Sequence, residues 1–143
     1  MTKLILRNFT IFAAGALAYG SCEVLARGGT HISMGLLGGL SMLFIDFLNG
    51  YRRAAGLPAV LIMLAASVYI TGLEFVSGVI LNLRMNMHIW DYSDMPLNFE
   101  GQICAPFTAV WFCLAFVGII ADDFLRTHIF YEPRRRVLTA KAA

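Results

Sequence analysis

The chain has 143 residues, 59% of them hydrophobic, with a mean hydropathy of +0.71 and only 14% charged. A soluble domain carries about 25% charged residues, so this chain has too little polar surface to coat a water-soluble globule, and a membrane class is the first expectation. The net charge of +2 gives no electrostatic footprint for a nucleic-acid partner, and none is expected.

The first apolar segment runs from about Phe9 to Ala26. Lys3 and Arg7 precede it, and Ala16-Leu17-Ala18 resembles a small-residue cleavage site. The apolar run continues past that site, and Glu23 has a counterpart later in the chain, so a retained helix is expected. The second segment runs from about Ile32 to Asn49, the third from about Leu57 to Leu83, and the fourth from about Ile103 to Ala121. Each is near the ~20 residues that cross ~30 Å of hydrocarbon, and the longer third segment should tilt or protrude. Single runs of this length pair their backbone groups internally only as helices. The expected fold is therefore an all-α integral membrane four-helix bundle. Residues 1–126 form the membrane domain and residues 127–143 a basic cytoplasmic tail.

The connections are unequal in charge. Lys3, Arg7, Arg52, Arg53, Arg126, Arg134, Arg135, Arg136 and Lys141 share one side of a four-span chain, and only Arg27 and Arg84 share the other. That bias places both termini in the cytoplasm of a plasma-membrane protein and the third connection outside. Arg134–Arg136 then read as a retention and orientation signal, with a lipid-headgroup contact as the functional alternative.

An internal repeat is visible. Glu23 and Glu74 lie 51 residues apart, late in segments one and three, while Asp46-Phe47-Leu48 and Asp123-Phe124-Leu125 lie 77 apart, at the ends of segments two and four. Two parallel two-helix units are implied, related by an axis along the membrane normal, with the enlarged loop in the second. At ~1.5 Å per residue both glutamates reach the outer third of the membrane.

An ionisable group in a span normally faces a cavity, a partner or the bundle interior. Glu23, Arg27 and His31 form a polar stripe if the first helix persists that far, read either as a structural ion pair or as a binding site. Glu74 has no base one turn away, so its expected partner is Arg27 or Arg84. Together Glu23, Arg27, His31 and Glu74 make a candidate polar pocket near the outer face. In the loop, Trp90 and Tyr92 suit the membrane interface, and Asp91 and Ser93 favour a local turn. Asn98 or Glu100 is a candidate cap for the fourth span, and Pro106 is tolerated in its first turn. Trp90, Asp91, Tyr92, Ser93 and Asn98 thus form a candidate outer lid, or else an ordinary anchoring loop.

No metal is expected, since His31, His88 and Asp91 match no ligand spacing. No cofactor is expected, and no nucleophile-and-base set points to an enzyme. Gly35, Gly38 and Gly39, with Ala13, Ala14, Gly15 and Ala18, read as a close helix-packing face. Cys22, Cys104 and Cys113 read as small packing residues, with a Cys22–Cys104 bridge as the alternative.

The blocks Trp90-Asp91-Tyr92-Ser93…Pro96…Asn98…Gly101-Gln102-Ile103-Cys104, Arg27-Gly28…Thr30-His31…Ser33-Met34-Gly35-Leu36-Leu37-Gly38-Gly39-Leu40, Leu73-Glu74-Phe75…Gly78 and Ala121-Asp122-Asp123-Phe124-Leu125-Arg126 resemble the ABC-transporter type IV family, the CmpB-like permease group, in its short bacterial form. The resemblance covers roughly residues 15 to 130. It implies a transporter subunit. The chain shows no Walker A loop, so an ATPase would be a separate subunit, and four spans imply a homo-oligomer or other membrane subunits within the bilayer. The alternative is a non-transporting scaffold in which the buried glutamates clasp the helices.

Overall fold

The computed structural model describes residues 2–131, with the backbone alone for Ala26 and Arg27. Four helices are long and apolar enough to cross a membrane. Helix α1 spans Thr2–Arg27, α2 Ile32–Ala55, α3 Ala59–Gly78 and α4 Ala105–Phe124. The last turns of α3 and α4 widen into π-helical turns, Val79–Arg84 and Leu125–Ile129. The α3–α4 loop carries a two-stranded hairpin, β1 Asn98–Phe99 and β2 Ile103–Cys104, with Asn98 opposite Cys104.

The surface is that of a membrane protein. Leu17, Leu25, Val68 and Val117 are exposed, as are most large apolar side chains of α1 and α4. Several hydroxyl side chains within the helices are turned back on their own backbone. Ser41 donates to the Leu37 carbonyl at 2.7 Å, Ser77 to Leu73 at 2.5 Å and Thr108 to Cys104 at 3.1 Å. Such bonds remove the penalty of an unmet hydroxyl in hydrocarbon.

The helices run further than the apolar segments expected for them. Helix α2 continues past Asn49 to Ala55, and α4 with its π turn continues past Ala121 to Ile129. Hydropathy falls where charge begins, but these charges belong to a polar cluster that the helices carry, so the backbone does not stop there. Helix α2 ends where Gly56 takes φ +72° and its N–H returns to the Arg52 carbonyl, a left-handed glycine stop.

Helix α1 packs along α2 and α3 along α4, with α2 also touching α3 and α4; α1 and α4 barely meet. The α1–α2 crossing is made by glycine. A methyl group on Gly38 would sit 2.6 Å from the Gly15 carbonyl oxygen and overlap the Tyr19 Cβ, while one on Gly39 would enter the Phe12 ring. The expected small-residue face therefore exists, and it lets two backbones touch. Gly38→Ala should lower stability by about 1–3 kcal/mol, the range for overpacking, read as a fall in the melting temperature in detergent; an unchanged melt would show that the helices separate freely.

Two apolar clusters complete the core. Ile45, Ile62, Ala66, Ala115 and Ile119 join α2, α3 and α4 toward the termini end. Met34, Leu37 and Trp90 form a second cluster toward the loop end.

Candidate functional site

Glu74 is the acidic centre of the loop end. It is 3% exposed on the inner face of α3. Its carboxylate accepts a hydrogen bond from Trp111 Nε1 of α4 at 2.6 Å and another from the Tyr92 hydroxyl of the loop. Among the described residues it is therefore held by two neutral aromatic donors. Of the two bases expected to pair with it, Arg84 is exposed, and the side chain of Arg27 lies outside the described residues. Burial of a carboxylate requires donors, and a tryptophan and a tyrosine supply them while filling the space with apolar ring.

Glu23 lies across from this group on α1, within electrostatic reach of Glu74, and accepts from Thr30 Oγ1 at 2.9 Å. His31 does not continue a stripe from Glu23 and Arg27, because α1 ends at Arg27 and Gly28 turns the chain with φ +75°. His31 instead caps α2, its Nδ1 accepting from the Ser33 amide at 3.3 Å. Such a cap satisfies an orphan helical N–H. Of the four predicted pocket residues the fold brings Glu23 and Glu74 together and puts His31 to a structural use.

The loop is built to deliver Tyr92. Asp91 Oδ1 accepts from the Ser93 amide at 2.8 Å and the Ser93 hydroxyl at 2.5 Å, the turn expected from the sequence. Asn98 Nδ2 donates to the Ser93 and Met95 carbonyls at 3.1 and 2.8 Å, and its Oδ1 accepts from Gly101 N at 3.2 Å. Gly101 has φ +65°, and a Cβ there would come within 2.5 Å of Ser93 Oγ, so only glycine closes the loop. The Tyr92 amide donates to the Gly101 carbonyl at 2.8 Å. Asn98 and Glu100 do not cap α4; Cys104 occupies that position without a side-chain bond, and Pro106 follows in the first turn. Trp90 is not an exposed anchor either. It is 6% exposed, packed on Met34 and Leu37, with its Nε1 donating to the Gln102 carbonyl at 3.0 Å.

Asp91 lies outside the spans. Its carboxyl is held below the ordinary aspartate value by the Ser93 hydroxyl and then the Ser93 amide. A depressed folded-state value means that the turn's stabilisation is fully present above the unfolded value of ~3.9 and is lost as pH falls through the folded value. Acid titration followed by an amide shift at Ser93 should therefore report a midpoint below that of a free aspartate; a midpoint at or above it would remove the turn.

Three residues that anchor this arrangement were not among the candidate site residues read from the sequence: Asn82, Gln102 and Trp111. Asn82, in the π turn after α3, donates to the Trp90 carbonyl and to Gln102 Oε1, both at 2.9 Å, and accepts from the Ile89 amide at 2.7 Å. The wider π turn shifts the side-chain register there. Gln102 lies against Gly78, where a Cβ would meet its side chain at 2.5 Å. The Asn inside the third apolar run, and the Gln in the Trp90–Cys104 loop block, were the available signals.

Below Glu23 and Tyr92 a groove of about 430 Å³ lies between α1 and α4, open on one side. Its α1 wall includes Ala18, Tyr19 and Cys22, its floor Gly38 and Met42 of α2, and its α4 wall extends from Phe107 to Ala121. The volume is within the ligand-pocket range of roughly 300–1,000 Å³. Cys22, Cys104 and Cys113 are free, so the alternative of a bridge is not met.

The termini end holds a second polar cluster. Arg7 donates to Asp46 at 2.6 and 3.2 Å. Arg126 reaches Asp46 Oδ1 at 2.5 Å, the Asp46 carbonyl at 2.8 Å and Asp122 Oδ2 at 2.8 Å. Asn49 donates to Asp122 at 2.6 Å and Asp123 at 3.0 Å, and Asp123 also receives Arg52 and Arg53 at 2.5 and 2.9 Å. Residues read in the sequence as an orientation signal thus form a buried network joining α1, α2 and α4. Arg134–Arg136 and Lys141, the core of the predicted basic tail, lie outside the described residues.

Searches of curated proteins and of solved structures return no match. The family model described as "Putative ABC-transporter type IV" matches residues 10–140. The match takes in α1 from Thr10 onward, the other three helices, the loop hairpin and both polar clusters apart from Arg7, and it agrees with the multi-pass architecture. The chain belongs to the ABC-transporter type IV family.

Proposed function

We propose that this protein is a permease-like transporter subunit whose pathway is the α1–α4 groove, with an acidic pocket at its outer mouth. The observation that carries the reading is Glu74, a carboxylate buried within a span and held by neutral donors from a different helix and from the loop. Intramembrane acids mark ligand and ion pathways because their burial is costly unless used. The nine-to-two bias of basic residues supports termini in the cytoplasm of a plasma-membrane protein and the Trp90–Cys104 loop outside. An ATPase would be a separate subunit, and copies of this chain or other membrane subunits would complete the pathway. No catalytic residue is assigned.

The two hairpins read as a duplicated unit, supported by a reciprocal contact. Arg126 meets Asp46, and Asn49 meets Asp123. A shift of 77 residues exchanges the two contacts, as a pseudo-two-fold axis along the membrane normal would require.

The second reading is a non-transporting scaffold, favoured by the Arg–Asp network at the termini end, which ties three helices as a clasp would. Accessibility separates the readings. Cys22 lines the groove while Cys104 is buried, so in a Cys113→Ala background an impermeant thiol reagent reports on Cys22. A transporter subunit should allow modification from each side of a proteoliposome in turn, and Glu74→Gln should abolish the change of side while leaving the melting temperature near that of the parent. Reaction from one side under all conditions, with Glu74→Gln chiefly lowering the melt, would leave the scaffold.

A further inference from the structure

Four aromatic rings form a continuous arch at the groove mouth. Tyr19 stacks on Trp111 with centroids 5.3 Å apart, Trp111 meets Phe107 at 6.4 Å, and Phe107 stacks on Tyr92 at 4.7 Å. All four line the groove, with Glu23 beside them. The outer members come from α1 and from the loop, the inner two from α4. Three local segments of the sequence therefore build one aromatic surface.

The arch is electronically unusual. Trp111 gives its N–H and Tyr92 its O–H to the Glu74 carboxylate. A ring that donates its polar hydrogen to a carboxyl oxygen gains electron density, and hydrogen-bonded groups polarise one another most in a low-dielectric site. The negative π faces that attract cations are strengthened accordingly. Glu74 is itself buried behind the rings, so a ligand in the groove meets aromatic faces and the Glu23 carboxylate. A small hard cation requires about six oxygen ligands, which this surface does not offer. A soft, weakly hydrated cation is suited to it.

The rest of the groove sets the other end of the ligand. From Phe107 to Ala121 the α4 wall is about 21 Å long at 1.5 Å per residue. Its lining below the arch is Ala, Gly, Val, Leu, Met and Ile with Ser41 as the polar exception, and Ser41 bonds its own helix. A single alkyl chain lies in such a channel without leaving a polar group unmet, and the wall exceeds the ~15 Å that one leaflet of the ~30 Å hydrocarbon layer allows for such a chain.

We propose that the groove binds an ammonium amphiphile: a quaternary or tertiary ammonium head under the Tyr19–Trp111–Phe107–Tyr92 arch beside Glu23, and one alkyl chain along α4. The proposal rests on the reading of the groove as a ligand pathway and names its ligand class. The head chemistry is shared by choline-headed lipids and by free amphiphilic amines.

Dodecyltrimethylammonium is the probe, added to the full chain in uncharged dodecyl maltoside micelles and followed by tryptophan fluorescence. A Trp90→Phe background leaves Trp111 as the only reporter, since the chain has two tryptophans. Saturable binding is expected, at least tenfold tighter than tetramethylammonium, with Glu23→Gln and Tyr19→Leu each weakening it tenfold or more. Calorimetric titration of the unmutated chain must show the same ranking. Displacement by lysophosphatidylcholine would identify a lipid source, and its failure a free amphiphile. Saturable binding of dodecanoate or dodecanol equal to that of the cation would overturn the ligand class and leave the groove reading standing. No saturation by any of the three, together with one-sided Cys22 reactivity, would overturn both.

Discussion

Replacing Arg126 by methionine is expected to lower stability by about 3–5 kcal/mol, the effect of breaking a buried ion pair by removing one partner. The expectation follows from what Arg126 leaves behind. Asp122 is 0% exposed, and its ionic bond among the described groups is the one from Arg126 Nε. Its Oδ1 already has no hydrogen-bond partner. Without the guanidinium, Asp122 keeps Asn49 alone, and Asp46 keeps Arg7, whose long side chain reaches the membrane surface more readily. Arg126→Lys should recover little, because the planar fork serves two carboxylates and a carbonyl at once. Arg126→Met/Asp122→Asn should recover much of the loss, since the uncompensated charge goes with its partner. Denaturation of the parent, Arg126→Met, Asp122→Asn and the double variant in one detergent gives the coupling energy. A loss below about 1 kcal/mol for Arg126→Met would place the network among surface pairs of small effect.

This network and the loop end differ in how far the sequence could announce them. The four spans, the glycine face at Gly15 and Gly38 and the turn at Asp91-Tyr92-Ser93 rest on local pattern, and local pattern survives folding. The partners of Glu74 do not. Trp111 lies 37 residues from Glu74, inside a run that reads as lipid-facing on composition alone. Trp90 illustrates the same gap from the other side: an exposed interfacial tryptophan and a buried one have the same neighbours in sequence, and only the Gln102 carbonyl decides between them. Arg7, Arg52, Arg53 and Arg126 were legible as an orientation signal, which concealed their pairing. Two local cues pointed to it: Asp122 and Arg126 sit one helical turn apart, and Asp46 interrupts an apolar run. The π turn that presents Asn82 has no composition cue, because an extra residue in a turn changes register without changing residue type.

Trp90→Ala should show the second large effect, about 3–5 kcal/mol for a buried tryptophan truncated to a methyl group. The ring fills the space between Met34 and Leu37 of α2 and the loop. Its loss also strands the Gln102 carbonyl, which receives the indole N–H. Trp90→Phe keeps most of the ring and loses that bond, so it should fall between, about 1–3 kcal/mol. The two variants separate packing from hydrogen bonding at one position. The functional consequence runs through two residues of backbone. Tyr92 would then be held by its amide bond to Gly101, its stack on Phe107 and its hydroxyl on Glu74, with the anchor of the loop removed. Trp90→Ala leaves Trp111 as the only tryptophan, and its indole touches the same carboxylate. Its emission should move to the red as the groove mouth admits water, before the global melt, while in Trp90→Phe it should remain near the parent. An alanine variant that melts within about 1 kcal/mol of the parent, with Trp111 emission unmoved, would show that the loop seats itself without Trp90, and that Tyr92 is held over Glu74 by the hairpin alone.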